Sequence, residues 1–515
     1  MELDCDVLVV GAGCGGVAAA LAATSAGRTV VLTEPTAWVG GQLTAQAVPP
    51  DEHPWVETTG VTARYRAMRD GVRARYRATR ALTPEARRDP HLNPGAGWVS
   101  ALCAEPVVVH EVLRDLLAPA ERAGLLRVLH HHEPVSADVG GDRVDAVRLQ
   151  DTATGDPVVV TPSVVLDASE EGDLLPLTGC EHVLGAESTA DTGEPHALDG
   201  PADPSDQQAL TWCAALEWCP GEDHTIDRPE AYAFWRDYEA PFWPGPQLGW
   251  ATQEPETGRP LRRPLFGADG EQDLWTFRRI RYGGHHSPPV RDVSLVNWPQ
   301  ADYWLGPVTG TSEACRANHL GGARDLTRCL VHWLQTDAPR QDGGTGYPGL
   351  RLAGEPLGTP DGLAAAPYVR ETRRIRAERT VVEQDVGVEA RPGAAGAEQF
   401  HDSVGVGCYR IDLHPSTAGR GYLDIATYPF QVPLGALLPV RLDNLLAAGK
   451  CLGVTHITNG CYRLHPVEWN VGEAAGALAA FCLSRGETPR AVRNTPGLLA
   501  DFQDRLASDG VELRW

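Results

Sequence analysis

A mixed α/β fold, with a Rossmann-like dinucleotide-binding domain that is discontinuous in sequence, is predicted by three features of this chain. The first is a short apolar strand, a G-x-G-x-x-G turn and an alanine-rich helix within "CDVLVVGAGCGGVAAALAATSAGRTVVLTE". The second is a set of strand-like pieces at 125–129, 144–149, 157–160 and 163–167, separated by Gly, Asp and Pro turns. The third is a strand, a glycine turn and a small-residue helix in "NLLAAGKCLG…GEAAGALAA" near the C-terminus. Between the two ends lies a stretch dense in Trp, Tyr and Pro, read as an inserted aromatic-rich α+β domain. The expected division is 1–184 and 430–515 for the dinucleotide domain, with 185–429 as the substrate or cap domain.

Taking the elements in order, Val7 to Val10 form the first strand, Gly11, Gly13 and Gly16 the turn, and Gly27 ends the helix. Thr29 to Thr33 make the second strand, which ends in Glu34. Gly11 allows the tight turn, Gly13 a close approach to a pyrophosphate, and Gly16 close packing of helix on strand. The helix N-terminus, Ala12 and Cys14 to Gly16 included, is an anion site, and the Glu34 carboxylate suits ribose hydroxyls rather than a 2′-phosphate. Val108, Val112 and Leu116 share a helical stripe within 105–119. His130 to His132 sit at a strand end, where three successive side chains cannot converge on one ion, so no metal site is expected. Seven arginines between Arg64 and Arg80 read as the solvated face of a helix.

Eight of the fourteen tryptophans fall between Trp212 and Trp304, the composition of an aromatic core or an aromatic-lined pocket. "DVSLVNWPQADYW" alternates as a strand and presents Asn297, Asp302 and Tyr303, and "RYGGHHSPP" places His285 and His286 on a glycine loop. Near the C-terminus, Leu445 to Ala448 are read as a strand, Gly449 as the turn, and a helix is expected to start near Asn470. No second strand–G-x-G-x-x-G–helix unit is present, so an integral NAD(P)H module is not expected.

Bulk properties set limits. The formal charge of -23 disfavours nucleic acid and anionic membrane surfaces, which need positive charge. No apolar run approaches the roughly 20 residues that span a bilayer. The 12 cysteines contain no Cys-x-x-Cys, so neither a zinc ribbon nor a dithiol centre is visible, and a reducing cytoplasmic compartment is expected.

Together "VVGAGCGG", "VGGQLTAQ", "GAES", "DASEEGDL", "VNWPQADY", "PYVRETRRI", "DSVGVGCYRIDLH" and "NLLAAGKCLG" resemble a bacterial family of FAD-dependent oxidoreductases of the glutathione-reductase-like superfamily. The resemblance implies a non-covalent FAD, a Rossmann-like FAD domain that includes a small β-meander, and a substrate domain over the flavin. It implies cofactor contacts at the first turn, at Gly41, Gln42 and Leu43, and at Val135. Further implied contacts are Ala168 and Ser169, Gly449 and Lys450, and Asn470 and Val471. Glu170 and Glu171 depart from the family's usual D-A-T-G-D-G-D. Lys450 is the only lysine in a chain whose Lys+Arg total is 45; it reads as a cation beside the cofactor rather than a nucleophile.

The implied activity is oxidation of a small organic molecule by hydride transfer to flavin N5, with O₂ or another acceptor reoxidising the flavin. His285, His286, Asp302, Tyr303 and His414 are the candidate acid–base groups, and Arg370 is a candidate anion holder. Two alternatives stand beside it. One is a flavin monooxygenase supplied by a separate flavin reductase; the other is a hydratase or isomerase with FAD but no net redox change.

Overall fold

The computed structural model describes residues 1–268 and 271–515. Strand β1 (Glu2–Val10), helix α1 (Cys14–Ser25) and strand β2 (Val30–Glu34) form the first βαβ unit. β1 and β2 pair in parallel, Val7 with Val30 and Val10 with Thr33. The C-terminal half of β1 and all of β2 are buried, which is why both read as continuous apolar runs rather than alternating ones. Helices α2 (Ala63–Thr79) and α3 (Pro106–Arg122) lead to β3 (Leu126–His130), which extends the parallel sheet beyond β2.

The arginine-rich helix differs from its sequence reading. Arg69 and Arg73 of α2 are 1 % and 2 % exposed and bind Glu52 and Glu57. A buried guanidinium needs such partners, and its carboxylates come from the loop before the helix, which a charge pattern along the helix cannot reveal.

Three antiparallel strands follow: β4 (His132–Gly140), β5 (Arg143–Asp151) and β6 (Pro157–Asp167). β4 escapes sequence reading because it is mostly exposed and lacks an apolar face. The pieces expected at 157–160 and 163–167 are one strand. β5 stops pairing at Val160, so Pro162 removes no hydrogen bond from that side. β6 also pairs in parallel with the whole of β1, from Glu2 with Val159 to Val10 with Asp167, and so belongs to both the meander and the parallel sheet.

Residues 214–352 contain a second, four-stranded antiparallel sheet from β7 (Ala214–Trp218), β8 (Arg279–Arg281), β9 (Val293–Val296) and β10 (Leu350–Leu352), in the order β8-β9-β7-β10. Helix α4 (Glu313–Thr336) packs its buried Leu326, Leu330 and Leu334 into an aromatic cluster with Trp235, Trp250, Trp275, Trp298 and Trp333. Strands β11 (Ser403–Gly407) and β12 (Phe430–Pro433) pair with each other, and β13 (Leu445–Ala447) returns to the main sheet beside β6. The parallel order is therefore β3-β2-β1-β6-β13.

Helices α5 (His456–Tyr462) and α6 (His465–Arg485) close the chain's return. α6 begins at His465 rather than near Asn470, because Pro466 occupies the first turn, where its missing N–H costs nothing. Its small residues let it lie against α1. A Cβ on Gly472 would stand 1.9 Å from the Gly15 carbonyl oxygen, and one on Gly476 2.2 Å from that of Ala19.

Candidate functional site

The first site lies at the C-terminal ends of the parallel strands, where open α/β sheets place their ligands. Gly11 has φ of 95°, and a Cβ there would be 2.4 Å from the Ala168 carbonyl oxygen. The turn after β1 and the turn after β6 thus meet backbone to backbone, which only glycine permits. Gly13 caps α1 without a side-chain hydrogen bond; among the first-turn N–H groups that of Gly15 donates to Glu468 Oε1 at 3.5 Å, and the helix N-terminus favours an anion. A cavity of about 240 Å³ runs past Gly11, Gly13, Glu34, Gly41, Ala168 and Ser169.

Glu34 is buried at the mouth of β2, where it accepts from Thr36 N at 2.9 Å and Thr36 Oγ1 at 2.7 Å. Burial pushes its carboxyl up to about 7 despite these bonds. On the opposite wall β4 contributes His132, Glu133 and Pro134, just before Val135, which is 37 % exposed and does not line the cavity.

Gly41 and Gln42 form the second glycine turn, and Gly41 also lines the cavity. Lys450 follows the Gly449 turn, is 1 % exposed, and donates to Glu170 Oε2 and to the Val369 carbonyl at 2.7 Å. Burial works to lower its pKa, but Glu170 and Glu468 outweigh this and raise it. Lys450 is therefore a charged partner rather than a free amine. Glu468 on the first turn of α6 is bound by Gln42 Nε2, and its carboxyl is raised by burial and by the Glu170 charge. Asn470 donates to Val404 O at 3.1 Å; like Val471 it is buried, on the same helix.

The second site is a cavity of about 560 Å³ lined by Asp51, Trp98, Phe277, Arg278, Asn297, Tyr409, Asp412, His414 and Tyr422, among others. On its wall His414 Nδ1 donates to Asp302 Oδ2 at 2.6 Å, and the Tyr422 hydroxyl donates to the same oxygen at 3.2 Å. The other carboxylate oxygen accepts from Thr211 Oγ1 at 2.6 Å and pairs with Arg370 Nη2 at 3.1 Å. Burial works to raise the Asp302 carboxyl, but Arg370 and His414 outweigh it and hold it below the ordinary value. With Nδ1 committed to Asp302, His414 Nε2 remains, 3.7 Å from Asp412 Oδ2. Asp412 is likewise held low, the raising effect of burial being overcome by His414 and Arg463.

Three of the candidate acid–base and anion-holding residues, Asp302, Arg370 and His414, thus come together. Three do not. Tyr303 points away from Asp302 along its short strand and contacts His319 Nδ1 at 2.9 Å. His285 and His286 lie by Leu82 and Thr83, where Thr83 N donates to the His285 carbonyl at 2.9 Å and Leu82 bridges His286. Sequence reading missed Tyr422, Thr211 and Arg278, whose partners are distant in the chain, and Asp412, which lies two residues from His414 and pairs with Arg463. The "HHH" run did hold a signal, since its last residue reaches the first cavity.

The two cavities are linked through a short chain of contacts. Val369 lines the first; its neighbour Tyr368 accepts from Arg463, and Arg463 pairs with Asp412 in the second. Several buried polar atoms along this route have no partner among the described residues: Gln42 Oε1, Gln46 Oε1, Arg463 Nε and His465 Nε2. His465 Nδ1 accepts from Asp51 N at 3.0 Å, and burial pushes its pKa down to about 4. The neutral ring therefore carries its proton on the unpartnered Nε2. Buried polar atoms without partners mark an absent polar group.

These residues fit a flavin dinucleotide: a glycine cradle at a helix N-terminus, an acid at the ribose position, and unanswered donors and acceptors beyond them. Gly11 to Gly16, Glu34 and Lys450 would hold its adenosine diphosphate half, and Gln42, Gln46, Arg463 and His465 would face the rest. Glu170 and Glu468 work against an anion, because Glu170 Oε1 stands 2.9 Å and Glu468 Oε1 3.4 Å from where a Gly13 Cβ would be.

A family model described as FAD dependent oxidoreductase matches residues 6–506. No curated protein matches the chain. Among solved structures, a geranylgeranyl bacteriochlorophyll reductase-like protein from Thermoplasma acidophilum is 12% identical, with 99% of this chain and 85% of that one covered and a TM-score of 0.35. The myxobacterial chondrochloren halogenase, an FAD-dependent halogenase variant, is 12% identical over 98% of this chain and 79% of its own, with a TM-score of 0.33. The match to L-proline dehydrogenase from P. horikoshii, also 12% identical, spans 37% of this chain and only 26% of that one, with a TM-score of 0.19. Among the described residues no helix is long and apolar enough to cross a membrane. The chain is a member of the FAD-dependent oxidoreductase family, an enzyme that uses FAD.

Proposed function

We propose that this protein oxidises a small organic metabolite by hydride transfer to its FAD, with O₂ or another acceptor completing the cycle. The observation that carries the reading is the Asp302–His414–Tyr422 cluster opening into the 560 Å³ cavity. Bound FAD supplies the hydride acceptor. The chain's own part is proton handling and binding. Asp302, fixed by Thr211 and Arg370, orients His414 so that Nε2 stands beside Asp412 on the cavity wall, where the neutral ring takes a proton from substrate, and Tyr422 holds the Asp302 carboxylate in place. The aromatic walls exclude water around that proton transfer.

On this reading residues 185–429 act as the substrate domain, and the kinship with glutathione-reductase-like flavoproteins accounts for an FAD domain drawn from both ends of the chain. The partners are a small molecule and an electron acceptor; neither nucleic acid nor membrane is proposed. The test is anaerobic mixing of the FAD-loaded protein with candidate metabolites while following absorbance at about 450 nm. Bleaching by a substrate is the expected result. Product formed with the flavin remaining oxidised overturns it in favour of non-redox chemistry, and product that needs both an added reductase and O₂ favours the monooxygenase.

A further inference from the structure

The 560 Å³ cavity carries a feature that the proton-handling cluster does not use. Trp98 and Phe277 pack ring to ring on its wall, centroids 4.3 Å apart. Arg263 lies over the Trp98 ring at 5.4 Å and Arg278 over the Phe277 ring at 4.9 Å. All four residues line the cavity, so two aromatic rings stand between two guanidinium groups.

The charge on this wall is only partly answered. Among the described residues, Arg278 reaches one carboxylate oxygen, that of Asp51 at 3.5 Å, and its Nε and Nη1 have no partner. Arg263 pairs with no carboxylate among them; its guanidinium donates to Gln272 Oε1 at 3.4 Å. Asn297, 5 % exposed, also lines the cavity, with its Nδ2 unpartnered among the same residues. The cavity's other carboxylates are engaged: Glu52 by Arg69, Asp412 by Arg463 and Asp424 by Arg410. What is left over is donors and positive charge beside flat apolar surface.

We infer that this wall is a binding subsite for the carboxylate of a small planar organic acid, such as an aromatic carboxylate. The Arg278 fork and Asn297 would receive the carboxylate, and the Trp98–Phe277 pair and Tyr409 would flank the ring. A fork of N–H donors matches a carboxylate in two parallel bonds, which a neutral amide cannot reproduce. The inference rests on the reading of this cavity as the substrate pocket and narrows it to a class of substrate.

The test is binding rather than turnover, so that it fails or succeeds apart from the oxidation chemistry. FAD-loaded protein is titrated calorimetrically with 2-naphthoate, 2-naphthamide and cyclohexanecarboxylate, none of which offers the proposed oxidation. The naphthoate is expected to bind at least tenfold more tightly than either of the others. Arg278→Met is expected to remove that preference with FAD content unchanged. Because Arg278 is enclosed, Arg263→Met, at a half-buried position, serves as a second variant and should weaken the naphthoate several-fold while leaving the amide alone. Equal binding of naphthoate and naphthamide, no naphthoate binding at millimolar concentration, or unchanged preference in both variants overturns the assignment.

Discussion

Glu170 and Lys450 would set the balance of charge beside the diphosphate of a dinucleotide bound at the Gly13 turn. The carboxylate stands over Gly13 and Gly41, and the lysine neutralises it. Replacing Glu170 by Gln frees the ammonium for the diphosphate, so FAD affinity, read by fluorescence quenching on the apoprotein, should rise roughly tenfold, about 1.4 kcal/mol. The same change should lower the Tm of the apoprotein, since the buried Lys450 then lacks its counter-charge. Lys450→Arg should retain FAD, whereas Lys450→Met should weaken it by tenfold or more; equal weakening by Glu170→Gln and Lys450→Met would reduce the pair to a structural tie. Glu34 gives a pH signature. Its carboxyl is raised to about 7 by burial, and ribose hydroxyls donating to it would lower that value in the complex. Binding then releases a proton, so affinity should fall as pH drops below about 7, and Glu34→Gln should flatten that part of the profile relative to wild type. At the second cavity, loss of His414 as His414→Gln should slow anaerobic flavin bleaching by roughly 10²–10⁴-fold with FAD retained.

Among elements, the contact between α1 and α6 is the most demanding. Gly472→Ala drives a methyl group into the Gly15 carbonyl, and such overpacking costs about 1–3 kcal/mol or more. Gly497→Ala, where a Cβ meets nothing within 4 Å, should be neutral or stabilising by up to about 1 kcal/mol; thermal melts of the two variants make the comparison, and equal Tm values would deny α1–α6 its role. The same contact shows why some of this protein is legible in its sequence. Gly11 to Gly16, Glu34 and the small residues of α6 serve local or repeating geometry, so their spacing carries the information. His414 and Tyr422 meet Asp302 across 112 and 120 residues, and no spacing encodes that. Tyr303 differs for a related reason: neighbours in a strand face opposite sides, so Asp302 meets His414 and Tyr422 behind the cavity wall while Tyr303 turns to His319. β4 leaves no trace because an exposed strand needs no apolar pattern, and α6 starts before its small-residue stretch because Pro466 serves in its first turn.

For the whole molecule, the parallel sheet draws strands from Glu2–Val10 and from Leu445–Ala447, and the aromatic unit hangs between them. β13 pairs with β6 and α6 packs on α1, so both ends of the chain share one core. Heating should therefore give one cooperative transition, shifted upward by FAD as mass action requires, by about 2.7 kcal/mol at a hundredfold excess over Kd. Two calorimetric transitions with only one responding to FAD would show the 185–429 segment to be thermally independent. β6 has a further consequence, one of timing. Its end at Asp167 is completed by β13 and by Cys451, whose thiol donates to the Asp167 carbonyl 284 residues away. At synthesis rates of roughly 5–20 residues per second, a ribosome-bound chain would expose that edge for tens of seconds before its partner emerges. Until β13 has emerged, the nascent protein has its glycine turn but lacks the strand that completes this edge.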